Sequence, residues 1–454
     1  MNIEQILFAP EGKTLEFKEN SSATKNIIRT LVAFSNTAGG NLIIGVKDDK
    51  SIIGIENPLK EVERIANLID DSIVPKIAPN IEIISYRNKN ILLIQVYPGS
   101  NKPYQIKNSP HDMGVYYRVG STNREADLAI IGELKRSVTN KYFDELPMIE
   151  LNPEAIDFRV ASEFFEGRRH LVSKDLETLE VMLDYQGRKV PSIGGIILFS
   201  PEREKYFPDC WVQAGRFKGF TKADIVDTLE IHDYPINCIE RAMNFVKKHA
   251  LFSYNLEGLQ RSENWSIPLQ AVREAIINAF AHCDYSQKGA PIRISIFDDR
   301  LEIENPGLLP FGVTIPEIME GVSKIRNKVI VRVLHELGYI EKWGIGIARM
   351  IKSCQDAGLP PPEFKEIATR FRVTLFTKAI TPPRIDETDR KIIEAIRELD
   401  GLSTAEISKI IGLSGRSIRT RLKNLVTLHY LYEVGTGPFD PNKRYKIQKF
   451  RCPF

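Results

Sequence analysis

Apolar positions return along this chain in two rhythms, and the switches between them mark its elements. From residue 1 to about 135, helical and strand-like stretches alternate. Ile27, Ile28, Leu31, Val32 and Phe34 recur at helical spacing and stop at Gly39-Gly40. The runs LIIGVK, IEIISY and ILLIQVYP then read as strands, the first of them buried. Residues 136–265 hold the apolar run IGGIILF, which reads as a further strand, and a helix around Cys238 to Lys248. The block 266–378 opens on an amphipathic helix, LQAVREAIINAFAH, and continues through IRISIFD and RLEIENPG, with Asp298-Asp299 as the turn between two strands. A second helical stretch, KVIVRVLHELG, and the Gly-rich turn KWGIGIARM complete it. Pro382-Pro383 marks a linker. Beyond it, helix signals fall at Asp389–Leu399, Thr404–Ile411 and Ser414–Leu428, and a short strand pair closes the chain. The pattern predicts a multidomain α+β protein divided at 1–135, 136–265 (a connecting α/β segment), 266–378 and 386–454.

Composition narrows the class. A length of 454 residues suggests about three domains. With 43% hydrophobic and 27% charged residues, wholesale disorder is excluded. No apolar run approaches the roughly 18 residues of a membrane helix, and the start MNIEQILFAPEGK lacks the basic-then-apolar order of a secretory signal. Five scattered cysteines argue against a zinc knuckle or a disulfide framework. A soluble, cytoplasmic protein with no membrane partner is expected. The net charge of +3 is unevenly spread. From Gly401 onward ten Lys and Arg face three acids, a tail of +7, so the first 400 residues sum to −4. That asymmetry points to a nucleic-acid-facing C-terminus.

The C-terminal pattern explains the tail. Ser403-Thr404 caps one short helix, Gly412 breaks it, and Ser414 caps the next. On that next helix Arg416, Arg419 and Lys423 form one basic face while Ile418, Leu422 and Leu425 point inward. Three helices and a hairpin ending KRYKI resemble a winged helix-turn-helix. The resemblance implies that Arg416, Arg419, Arg421 and Lys423 approach a DNA groove and that Lys443 and Arg444 grip phosphate. A protein-binding winged helix with an ordinary solvated basic face is the alternative.

A second constellation is Glu274, Asn278 and His282, spaced by four on an otherwise apolar helix. Polar groups in line there are costly unless they meet partners or a ligand. Asn305-Pro306-Gly307 ends a strand and Gly344-Ile345-Gly346 precedes a helix, where bare amides can approach phosphate. Residues 266–378 resemble the GHKL (Bergerat-fold) ATP-binding domain, an α/β sandwich. The resemblance implies ATP, with Asn278 holding Mg²⁺, Glu274 activating water, Gly344 and Gly346 beside the phosphates, and Arg326-Asn327 in a lid-like segment. Glu304, Asn305 and Gly307 stand where the family's adenine-binding Asp-x-Gly-x-Gly box belongs. Lys324, Arg326 and Lys328 are candidate γ-phosphate cations, and Trp343 could wall the pocket. No GxxxxGK[ST] occurs, which excludes P-loop chemistry.

A third constellation is N-terminal: Glu11, Glu16 and Lys18 in EGKTLEFKEN, Asp48 and Asp49 after the glycine pair, and YYRVGSTNREA. Glu16 and Lys18 share a strand face, and carboxylates converging beside a lysine would suit a divalent cation. Equally, acids near a loop are usually solvated, and the glycine pair can simply end a helix. These motifs resemble the Schlafen AlbA-type domain, which binds nucleic acid and in some members cleaves RNA. By that resemblance Glu11, Glu16 and Asp48 form an acidic Mg²⁺ or Mn²⁺ site, and Tyr117, Arg118, Gly120 and Ser121 match a further motif, with Lys18 and Arg118 toward nucleic acid. The domain order resembles a prokaryotic family labelled as transcriptional regulators or, loosely, as helicase-related. The leading expectation is an ATP-binding, DNA-binding regulator working as a homodimer or higher homo-oligomer. The alternatives are an ATP-gated metal-dependent nuclease on RNA or DNA and a scaffold without chemistry. Cys283, Trp211, Trp265 and the other histidines read as structural.

Overall fold

A computed structural model describes residues 6–7, 9–110, 113–250, 252–255, 262–341, 344–377, 386–399, 401–427, 430–434 and 443–447. His111, Trp343, His429, Cys452 and the Pro382-Pro383 linker fall outside the described residues, as does the Trp265 side chain. Two compact units form: residues 1–99 with 104–125 and 381–454, and residues 100–103 with 126–380.

The N-terminal part contains β1 (Leu15–Lys18), α1 (Thr24–Asn36), β2 (Gly40–Ile44), α2 (Pro58–Ser72), β3 (Asn80–Tyr86) and β4 (Lys89–Val96). The sheet runs β1-β2-β4-β3, with β1 and β2 parallel and the other pairs antiparallel. Strand β2 is covered on both faces. Leu42 and Ile44 pack with Leu31, Phe34 and Ile65, while Ile43 packs with Phe17, Ile91 and Leu93. Burial on both sides is why this strand reads as a continuous apolar run rather than an alternation. Gly39 ends α1 at φ +76°, its amide donating to the Phe34 carbonyl, and a Cβ there would stand 2.6 Å from the Val96 oxygen. The glycine both stops the helix and lets it close on β4. A hairpin of β5 (Tyr116–Val119) and β6 (Thr122–Glu125) follows.

The second unit carries α3 (Leu128–Val138), α4 (Ile193–Phe199), β7 (Val212–Lys218), β8 (Asp224–Ile231), α5 (Pro235–His249), α6 (Leu269–Ala281), β9 (Ile292–Ile296) and β10 (Arg300–Pro306). It continues through α7 (Lys328–Glu336), α8 (Gly346–Asp356), β11 (Glu363–Ile367) and β12 (Arg370–Phe376). Its sheet runs β8-β7-β9-β10-β12-β11, parallel between β7 and β9 and antiparallel elsewhere. Residues 136–265 thus supply two of six strands. They share one core with the block after them, in which Ile196, Val212 and Cys238 join Ile276, Ile294 and Leu375. Periodicity finds a strand but not its partner 80 positions away. The run IGGIILF is a helix, not a strand: Ser192 Oγ accepts from the Gly195 amide at 3.0 Å, and all seven residues are buried. A run apolar on every side has no period with which to choose.

The C-terminal part holds α9 (Glu387–Glu398), β13 (Leu402–Ser403), α10 (Thr404–Ile411), α11 (Gly415–Thr427), β14 (Leu431–Val434) and β15 (Arg444–Ile447), with strand order β13-β15-β14. Ser403 and Glu406 form a capping box at α10, and Gly412 ends that helix at φ +76°. Ile392, Ile407, Ile418, Leu422 and Leu425 make the core, so α11 turns its apolar side inward as its spacing predicts. The chain is a multidomain α+β protein. Among the described residues, no helix is long and apolar enough to cross a membrane.

Candidate functional site

Glu274 and Asn278 lie one turn apart on the face of α6 that also carries Ala275, Glu274 buried and Asn278 partly so. They line a cleft of about 380 Å³ whose other walls include Asn305, Val373, Lys324 and the start of α8. Gly346 opens α8, and a Cβ there would sit 2.7 Å from Glu274 Oε2 and 3.7 Å from Asn278 Nδ2. Only bare backbone can pass so close, and it brings the amides of a helix N-terminus against the acid-and-amide face. Gly344, at φ +63°, makes the turn before it. The Asn278 side-chain amide has no hydrogen-bond partner among the described residues.

Glu274 is 8% exposed, and its Oε1 accepts from Arg349 Nη1 at 3.0 Å. Arg349 Nη2 donates to Glu341 Oε2 at 2.6 Å, and this bond, ahead of that to Glu274, holds the guanidinium above its ordinary pKa. Sequence reading missed Arg349. Its signal was present, since a residue three positions after Gly346 stands in the first turn of the same helix, where side chains lean toward the N-terminus. His282 caps α6, and burial, helped by Arg326, pushes its imidazole down to about 4.

The other expected residues divide. Asn305 lines the cleft, its Nδ2 donating to the Pro306 carbonyl at 2.9 Å and the His282 carbonyl at 3.4 Å. Glu304 does not line it. Strand alternation turns Glu304 to the opposite side of β10, where Arg372 Nε donates at 2.8 Å and Arg370 lies at 3.4 Å. Gly307 takes φ +98° beside Asp284, with its amide on the Thr369 carbonyl, outside the cleft lining. Arg326 is not a phosphate cation here. Its side chain is only 9% exposed, donating to Glu133 at 2.8 Å and the Leu308 carbonyl at 2.6 Å, with Asp284 at 3.7 Å. Asn327 pins the end of α6 by donating to the Ala281 and Cys283 carbonyls at 3.0 and 2.7 Å. Lys324 does reach the cleft. Its ammonium donates to the Phe311 carbonyl at 2.8 Å, and burial lowers its pKa. Lys328 and Arg332 also line the cleft. Sequence reading also missed Asp144, a buried acid that accepts the Lys328 and Ile330 amides at 2.9 and 3.0 Å and so caps α7. Burial raises its pKa to about 7.

The N-terminal acids do not converge. Glu16 is buried and committed to two cations, Arg118 Nη2 at 2.5 Å and the Lys18 ammonium. Arg118 is itself fully buried, donating also to the Gly12 and Leu15 carbonyls and to Asn123. It therefore cannot meet nucleic acid as expected. Lys18 donates to the Phe17 carbonyl as well. Glu11 accepts the Phe17 amide at 2.8 Å, while Asp48 sits in an exposed turn. Both acids act electrostatically on Lys50, whose ammonium donates to the Ala9 carbonyl and lies over the Phe17 ring. No group of three His, Cys, Asp or Glu side chains among the described residues is placed to share a metal ion. The residues here do not fit a divalent cation, because their charges are answered by Arg118, Lys18 and Lys50.

On α11, Arg416, Arg419 and Lys423 are exposed along one face. Arg421 turns back to α9 and pairs with Asp386 at 2.6 Å and Asp389 at 2.8 Å. Lys443 pairs with Glu433 at 2.7 Å, and Arg444 bonds the Gly401 carbonyl and Glu406 at 3.0 and 3.2 Å. The exposed cations are fewer than the sequence suggests.

Comparison with known proteins assigns segments of the chain. Residues 11–127 match the family described as "Schlafen, AlbA_2", residues 289–375 that described as "Putative ATP-dependent DNA helicase recG C-terminal", and residues 385–430 "Winged helix-turn-helix DNA-binding". Similar solved structures include the DIP2311 protein of Corynebacterium diphtheriae, 18% identical, covering 98% of this chain and 96% of that one with a TM-score of 0.45. Another is the N-terminal domain of a RecG-related protein of Nitrosomonas europaea, titled "Putative ATP-dependent DNA Helicase", 22% identical over 28% of this chain and 95% of that one, TM-score 0.23. Comparison with curated proteins finds no match. The chain thus joins a Schlafen AlbA-type segment, a RecG-C-terminal-type segment and a winged helix, and these point to nucleotide and nucleic-acid binding.

Proposed function

We propose that the α6–α8 cleft is a GHKL-type ATP site and that the chain is a DNA-binding regulator whose grip on DNA depends on nucleotide. One observation carries the reading: the bare glycine turn that opens α8 lies against Glu274 and an Asn278 side chain without a partner among the described residues. Bare amides and a helix N-terminus suit phosphate, and the apolar wall of Val373, Phe364 and Met350 suits a base. The donor set also fits Mg²⁺. Asn278 Oδ1 would be its protein ligand, and the ion would neutralise phosphate oxygens when bound. Lys324 stands on the same wall as a cation for the phosphate chain. Glu274 is the group that takes a proton. Water adds to the γ-phosphorus as the bond to the β–γ bridging oxygen breaks, and the water proton passes to the carboxylate. Turnover is slow while Arg349 occupies that carboxylate. Arg416, Arg419 and Lys423 meet DNA phosphate, and a cytoplasmic homodimer reading paired half-sites, as a transcription regulator would, completes the proposal.

Calorimetric titration with ATP and Mg²⁺ tests it. The protein binds, Asn278→Ala loses binding, and duplex DNA affinity changes when ATP is added. Failure of the unmodified protein to bind ATP would sink the reading.

A further inference from the structure

Arg349 is the one cation that touches Glu274 among the described residues, and it lines the same cleft as the glycine turn. Oε1 of Glu274 carries the Arg349 bond, while Oε2 faces the bare Gly346 backbone, where a Cβ would stand 2.7 Å away. The guanidinium thus holds one of the two oxygens that face the cleft. The second anchor of Arg349, on Glu341 at 2.6 Å, is the shorter bond, but the Glu341 side chain is 58% exposed and solvent screens the pair.

We propose that Arg349 is a terminal-phosphate sensor: a bound nucleoside triphosphate draws its guanidinium from Glu274 and Glu341, and the move uncovers Glu274. The inference rests on the nucleotide reading above and adds to it the residue that tells triphosphate from diphosphate. A terminal phosphate carries more charge than either carboxylate and matches the planar fork of Arg with two oxygens. Once Arg349 leaves, the Glu274 oxygen it held is open to water. A diphosphate lacks the group that drives the exchange and leaves Arg349 in place.

The full-length protein, Arg349→Met, Arg349→Lys and Glu341→Gln are titrated calorimetrically with ATP and with ADP, each with Mg²⁺. Arg349→Met loses roughly tenfold in ATP affinity, the worth of a charge-assisted bond, while ADP binding stays within about twofold. Arg349→Lys recovers part of the ATP preference. Glu341→Gln, a change at the exposed rim that spares the fold, frees Arg349 and tightens ATP binding by roughly threefold without moving ADP. An ATP-to-ADP affinity ratio unchanged in both Arg349→Met and Glu341→Gln would overturn the proposal and reduce Arg349 to a prop for Glu274. A wild-type protein that binds neither nucleotide is a different failure, since it removes the nucleotide reading itself.

Discussion

The guanidinium of Arg118 spends its donors inside the fold, on Glu16, Asn123 and two backbone carbonyls, with the Phe34 ring 5.2 Å from its centre. Its removal leaves Glu16 with one partner in a buried setting. Arg118→Met is therefore expected to cost about 3–5 kcal/mol of stability in denaturant unfolding, with nucleic-acid affinity per folded molecule unchanged. Sequence gave the identity of this arginine within its motif, but no pattern states which way a strand residue faces when both sides of the hairpin are polar. Glu304 is a different case. In a strand, Asn305 toward the cleft implies Glu304 away from it, so that misplacement was avoidable. At His282 the folded imidazole titrates near 4 rather than the usual 6.5, so the unfolded chain binds the extra proton between these values. Stability on this account is complete above pH 6.5 and falls as pH drops toward 4. Melting temperatures measured at pH 7 and pH 5 should differ more in the wild type than in His282→Gln.

At the scale of elements, α11 gives two opposite expectations from one helix. Arg416→Ala and Arg419→Ala should each weaken DNA binding and lower the slope of log affinity against log salt by about one, read by fluorescence anisotropy. Arg421→Ala breaks the pairs with Asp386 and Asp389 and should lower the melting temperature while leaving that slope intact. The helical period of Ile418, Leu422 and Leu425 made α11 legible, as did the caps at Ser403 and Gly412. Arg421 lies outside the basic face and is drawn toward DNA by the winged-helix resemblance, which takes no account of the acids of a neighbouring helix. In α4 the period itself failed, because a run buried on every side offers no polar position to count from. The cleft was half legible: the ExxxN spacing and the glycine turn stand out in sequence, whereas Arg349 needs the fold to bring α8 against α6.

For the whole molecule, the proposed regulation is a coupling between nucleotide and DNA, and coupling is reciprocal. If ATP shifts DNA affinity by some factor, saturating DNA must shift ATP affinity by the same factor. Paired titrations that disagree would exclude a single linked equilibrium. The order of domains was legible because each carries its own motifs. The extent of the middle unit was not, because β7 meets β9 from 80 positions earlier, as Arg216 meets Ile296. That parallel pairing has a consequence for how the chain must be made and cut. As the chain is synthesised, the β7–β8 hairpin exists before its neighbour, with the inner edge of β7 open until β9 arrives. A fragment begun at residue 266 would carry the converse defect: β9 would show a bare row of amides and carbonyls to any passing strand. The acid, the amide and the glycine turn all lie downstream of that cut, yet the platform that holds them rigid begins well upstream of it.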